Sequence, residues 1–72
     1  MEKRVLEIVS SFVKTSVAEL ENVTNQEGVW DSLQKVEIII GLEDEFDISF
    51  TQEEISKINT IADIVNLIQG KL

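Results

Sequence analysis

Along the first twenty positions Val5, Val9, Phe12, Val13 and Leu20 recur at three- and four-residue steps, with Glu2, Lys3, Glu7, Lys14 and Glu19 between them. That spacing predicts an amphipathic helix near residues 2 to 16. The stretch "ENVTNQEGV" from Glu21 to Val29 is polar, contains Gly28 and has no apolar period, so it reads as a long connecting loop. Asp31 is a favourable helix cap, and Gln34 three residues later can reach back to it, which predicts a second helix from Ser32 to about Phe46. The hydrophobic staple that often accompanies such a cap fails, because Trp30 would have to meet Lys35. A second capping box at "TQEE", Thr51 to Glu54, opens a short helix through Ile58. Thr60 to Asp63 marks a third start ahead of "IADIVNLI", with Gly70 expected to end that helix. No strand pattern longer than "DISF" and no internal repeat interrupt this series.

The fold class is therefore all-α: a small bundle of three main helices plus one short helix, in a single domain over residues 1–72. A chain of this size closes one core and buries roughly 60% of the surface its unfolded form exposes, which leaves no room for a deep enzyme pocket. Turning by about 100° per residue places Ile38, Ile39, Leu42 and Phe46 of the second helix on one arc. Leu33, Val36 and Ile40 widen the apolar surface to roughly 220°, more than a small bundle normally buries. The Leu33 and Ile40 edge runs beside Glu37 and Asp44, as a docking surface for a basic partner would. Ordinary partial burial of Leu33 and Ile40 is the competing explanation.

Charge sharpens this picture. Fourteen acidic and six basic residues give a formal charge of -8, which repels nucleic acid and anionic lipid headgroups at long range. Glu43, Asp44, Glu45 and Asp47 crowd the negative end of the second helix dipole, where local stability does not ask for them. A solvated face is the commonest reason for such a cluster, and no calcium-loop spacing is present. With no cysteine, histidine or tyrosine, the chain lacks disulfides, soft metal ligands and the commonest acid, base and covalent catalysts. A protein that is not an enzyme, with no metal site, is expected. Neither a signal peptide nor an apolar run long enough to span a bilayer is recognisable. The expectation is a cytoplasmic monomer that binds no nucleic acid and does not insert into membranes.

Ser32 stands at the mouth of the second helix, and three readings of it compete. It could serve only to start the helix. It could be a nucleophile, since "SLQK" has the Ser-x-x-Lys spacing of penicillin-binding enzymes, but the other motifs of that machinery and a domain several times larger are lacking. Or another enzyme could modify it: backbone N–H groups and the dipole at a helix N-terminus favour an attached phosphate.

The run from Asp31 to Ile68, "DSLQKVEIIIGLEDEFDISFTQEEISKINTIADIVNLI", resembles the acyl carrier proteins. Their pattern is Asp-Ser-Leu, then Val-Glu and three apolar residues, then Leu-Glu-x-Glu-Phe, an acidic short helix and a final apolar helix. Here Asp31 and Leu33 flank Ser32, and Val36, Glu37, Leu42, Glu43, Glu45 and Phe46 follow at the family's distances without gaps. The resemblance implies that Ser32 receives 4'-phosphopantetheine from coenzyme A through a separate phosphopantetheinyl transferase. It also implies that acyl groups ride as thioesters on that arm between acyl-loading, acyl-transferring or condensing enzymes.

The same resemblance implies a cleft lined by Val36, Ile39, Leu42, Phe46, Ile58 and Ile64 that could shelter the cargo. Docking would involve Leu33 and Ile40 with the acids Glu37, Glu43, Asp44, Asp47, Glu53 and Glu54, which would meet Lys and Arg on partner enzymes and make binding salt-sensitive. Carriers of primary fatty acid synthesis usually have a small residue where Trp30 stands, an acid at Gln34, a small polar residue at Lys35 and proline at Thr51. "GVWDSL" is more similar to stand-alone carriers of specialised pathways, polyketide assembly among them. An aminoacyl or peptidyl carrier is the alternative within the fold. An unmodified acidic helical adaptor that binds a basic protein is the alternative outside it.

Overall fold

The structure, a computed structural model, describes all 72 residues and contains five helices. Helix α1 spans Glu2–Val13, α2 Val17–Glu21, α3 Ser32–Phe46, α4 Gln52–Ser56 and α5 Ile61–Lys71. The all-α expectation and its three main helices hold, and a second short helix joins them.

That extra helix corrects the reading of a single first helix to residue 16 followed by loop. Lys14 turns into the left-handed region at φ 58°, its N–H closing on Ser10 O at 2.9 Å, and this ends α1 at Val13. Ser16 then caps α2, its hydroxyl oxygen accepting the Glu19 N–H at 3.2 Å. Leu20 is fully buried from this new axis and not as a distant member of the α1 stripe. The loop that follows is fastened at its middle, where Ala62 donates its N–H to Thr24 O at 2.9 Å.

Helix α3 begins and ends where its cap and apolar run place it. Asp47 leaves it in the left-handed region, φ 53°. Glu43 then reaches past that turn, and its Oε2 accepts the Phe50 N–H at 2.8 Å, which fixes the path into α4. Helix α4 stops at Ser56, two residues short of the expected end; Lys57 and Ile58 donate to the carbonyls three residues back in a tightened last turn. Helix α5 runs through Gly70 to Lys71, against the expectation that the glycine ends it. A glycine stop requires left-handed backbone, and Gly70 keeps a right-handed φ.

The core contains fourteen buried residues, all of them apolar. Val5, Leu6, Ile8 and Val9 of α1 lie at its centre, and α1 packs against α2, α3 and α5. From α3 come Ile38, Ile39 and Leu42; from α5 come Ile61, Ile64, Val65 and Ile68. Arg4 clamps the outside of the α1 and α3 pair, reaching Glu45 at 2.8 Å and Glu7 at 3.3 Å.

Helices α1 and α3 approach closely at Gly41. A Cβ there would lie 3.2 Å from Phe12 Cε2 and 3.4 Å from Ile8 Cγ2. The expected outcome for Gly41→Val is a loss of about 1–3 kcal/mol by urea unfolding, from overpacking of this contact. Gly41→Ala should cost less, because the better helix propensity of alanine returns about 1 kcal/mol. A valine variant with an unchanged midpoint would show that the two helices do not need this proximity.

Candidate functional site

Four N–H groups at a helix N-terminus have no partner inside the helix. At α3 two of them are met by the reciprocal pair of side chains that the sequence foretells. Asp31 Oδ1 accepts the Gln34 N–H at 2.7 Å, and Gln34 Oε1 accepts the Asp31 N–H at 3.0 Å. Gln34 Nε2 also donates to Phe12 O at 3.4 Å and ties this helix mouth to the end of α1. The other two N–H groups, of Ser32 and Leu33, have no acceptor. The Ser32 side chain is exposed, and its hydroxyl makes no hydrogen bond within the protein.

Beside Ser32 opens a shallow cleft of about 170 Å³. Glu27, Gly28 and Trp30 of the long loop line one wall; Asp31, Ser32 and Lys35 of the α3 mouth line another. Ile58 and Asn59, from the connection between α4 and α5, complete it. Gly28 sits at φ 80°, a conformation that a side chain would strain, and lets the loop turn toward the cleft. The sequence expectation puts Ile58 in a cleft between the helices and not at this mouth, and it names none of Glu27, Lys35 and Asn59 as site residues. The only signal for Lys35 was its position one turn after Ser32.

The apolar excess on α3 faces outward. Leu33, Val36 and Ile40 are 69%, 53% and 60% exposed and form a strip that starts one residue after Ser32. Val36, expected on the cleft side, is therefore on the outer strip. Ile39, Leu42, Ile58 and Ile64 are packed in the core, with Phe46 half-buried against it.

The candidate docking acids divide by what they touch. Glu37, Asp44 and Asp47 are exposed, and none is paired with a cation. Glu53 pairs with Lys57 at 3.2 Å. Glu43 is occupied by the Phe50 N–H. Glu54 accepts the Thr51 N–H at 2.9 Å and holds Lys71 at 2.9 Å, so it joins α4 to the end of α5. Glu45 is bound by Arg4, whose hydrogen bond holds its carboxyl below the usual glutamate range. No group of three or more acids is arranged to hold a metal ion, and no helix is long and apolar enough to cross a membrane.

A profile described as "Phosphopantetheine attachment site" matches residues 3–68, nearly the whole chain. The chain belongs to the phosphopantetheine-binding acyl carrier protein family. An acyl carrier protein of Buchnera aphidicola subsp. Acyrthosiphon pisum (strain 5A) is 51% identical over 41 residues, covering 57% of this chain and 51% of the relative. One from Clostridium acetobutylicum is 49% identical over 40 residues, 56% of this chain and 52% of the relative. The matched segment thus spans about half the length of these curated relatives. Membership implies a non-enzymatic carrier with covalently attached 4'-phosphopantetheine. The α3 mouth fits such a group: an exposed, unbonded hydroxyl stands beside two backbone N–H donors at the positive end of a helix dipole.

The double engagement of Glu54 has a measurable pH signature. The Thr51 N–H, and after it the Lys71 ammonium, lower its carboxyl below the ordinary glutamate value. Its contribution to stability is whole above that ordinary value of about 4.3 and is lost as pH falls through the lowered folded-state value. Thermal melts of wild type and Glu54→Gln across this range should differ most near neutrality and converge in acid. A gap that stays constant with pH would show that the carboxylate charge plays no part.

Proposed function

We propose that Ser32 is the attachment residue and that this chain carries acyl intermediates of fatty acid, polyketide or related specialised biosynthesis, as a cytoplasmic monomer. The observation that supports this most directly is the Ser32 hydroxyl itself, exposed, free of internal hydrogen bonds and set against the unpartnered N–H groups of Ser32 and Leu33. In the loading step a Ser32 Oγ–P bond forms as the pyrophosphate P–O bond of coenzyme A breaks and adenosine 3',5'-bisphosphate leaves. The proton of Ser32 passes to a base on the transferase; the adjacent Asp31 carboxylate is already engaged as the helix cap by the Gln34 N–H. The bound group supplies a terminal thiol on which acyl cargo is held as a thioester.

The chain's own residues present and recognise. Asp31 and Gln34 hold the helix mouth rigid, so Ser32 meets the transferase in one orientation. The strip Leu33, Val36 and Ile40, bordered by Glu37 and Asp44, offers an apolar centre and an acidic rim to enzymes with basic docking surfaces. "GVWDSL" favours a stand-alone carrier of a specialised pathway over a housekeeping one.

Incubation with a phosphopantetheinyl transferase and coenzyme A should add one phosphopantetheinyl group by intact mass, and Ser32→Ala should abolish it while leaving the melt cooperative. Modification that persists in the alanine variant would remove Ser32 from this role.

Docking is tested separately, by transfer kinetics. Charge reversal of Glu37 or Asp44 should slow a partner enzyme by less than about fivefold each, because exposed ion pairs contribute about 0–1 kcal/mol. The double reversal should lose more, and salt should shrink the deficit. Ile40→Ala should also slow transfer, with a loss indifferent to salt. Unchanged efficiency of the double variant at low salt would move recognition to the α4 acids or to the loop before Trp30.

A further inference from the structure

Of the six basic side chains, Arg4, Lys57 and Lys71 are committed to ion pairs. Lys3, Lys14 and Lys35 are not; Lys3 and Lys14 are exposed, whereas Lys35 is half-buried in the wall of the cleft beside Ser32. It is the single cation of α3 and lies one turn after Ser32, where side chains three residues apart are neighbours at about 5–6 Å between Cβ atoms. In the lining of the same cleft, the Trp30 indole N–H and the Asn59 side-chain amide also make no hydrogen bond within the protein. The cleft therefore collects one cation and two neutral donors with no internal acceptor.

Resting on the assignment of Ser32 as attachment residue, we propose that Lys35 and Trp30 form a cradle for the Ser32-linked group. Lys35 pairs with the phosphodiester, and the Trp30 indole lies against the first part of the arm, so the resting arm runs toward Ile58 and Asn59. Ile58, almost wholly buried, closes the cleft behind Asn59, whose free side-chain amide can pair with an amide of the arm. Lys35 is needed because two carboxylates, Glu27 and Asp31, line the same cleft and would otherwise repel the phosphate. An exposed ion pair biases such an arm by at most about fivefold, so partner enzymes can still withdraw it. Lys35 is thus a positioning residue.

The test uses the full chain, wild type, Lys35→Met and Lys35→Arg, each loaded by a transferase and checked by intact mass. Methionine keeps the apolar stem and removes the charge. Failure of the wild type to load would overturn the attachment reading and the cradle together. In loaded protein at low salt, the ³¹P resonance of the wild type should be displaced from that of the same phosphodiester in the urea-unfolded chain. The arginine variant should keep the displacement and the methionine variant should lose it. Salt at about 1 M, where the screening length is about 3 Å, should erase it in the wild type without any mutation. A resonance that is the same in wild type and Lys35→Met and indifferent to salt overturns the phosphate pairing. Trp30, the one tryptophan, should change its emission on loading; unchanged emission overturns the indole contact.

Discussion

The reciprocal hydrogen bonds between Asp31 and Gln34 govern what Ser32 is able to do. Serine is itself a favoured helix cap, and a serine in that role spends its oxygen on the N–H two or three residues ahead. By capping from Asp31, the chain moves Ser32 to the first helical position, where its hydroxyl has no intrahelical duty. The same geometry satisfies only the first and last of the four orphan N–H groups, so the two left over belong to Ser32 and its neighbour Leu33. An unspent hydroxyl and unspent donors thus arise together from a two-residue device, and Gln34 couples it to the end of α1 through Phe12 O.

The surplus of acid is sorted by a similar economy of contacts. Several carboxylates that look like one cluster in sequence have separate tasks in the fold. Glu43 closes the turn into α4, Glu45 takes Arg4 from across the bundle, and Glu54 both caps α4 and holds Lys71. Glu37, Asp44 and Asp47 remain without cations. The -8 charge is therefore uneven in its availability: Glu37 and Asp44, beside the exposed apolar strip of α3, are among the acids left free, as are Glu2, Glu21 and Glu27 elsewhere. Long-range attraction of a basic partner can use all the acids, but close contact can use only those whose lone pairs are not already engaged.

Much of this was legible in the sequence because capping is local chemistry. The boundaries of α3 and the starts of α4 and α5 follow from a capping side chain and its partner three residues on, and each such pair is formed as expected. Helix α2 was missed because Ser16 and Glu19 carry the start of a helix only one turn and a fraction long, too short for an apolar period to be seen. Gly70 misled because its stop signal depends on tertiary packing, and Ile68 and Lys71, buried in the core and paired to Glu54, hold the last turn in place. The outward position of Val36 was legible in the helical arc, which sets Leu33, Val36 and Ile40 beyond Ile38, Ile39, Leu42 and Phe46; only the resemblance assigned Val36 to a cleft. The Gly41 contact with Phe12 and Ile8 fits that orientation, with Ile38, Ile39 and Leu42 turned inward.

That rotation has a functional consequence. Because α3 presents its smallest residue to α1, the helices approach closely enough to bury three large apolar side chains of α3. Leu33, Val36 and Ile40 are left over, and burying the exposed apolar surface of such side chains is worth roughly 25 cal/mol per Å² only when another molecule covers it. The Lys35 cleft lies on the opposite side of Ser32 from this strip, among residues of the loop and of the α4 to α5 connection. On the proposed attachment at Ser32, that residue would stand at a junction between a face suited to a partner and a cleft suited to the arm. Docking on the strip and release of the arm would then be separable events, and the weak pairing available to a half-buried, solvent-accessible lysine would keep the second from opposing the first.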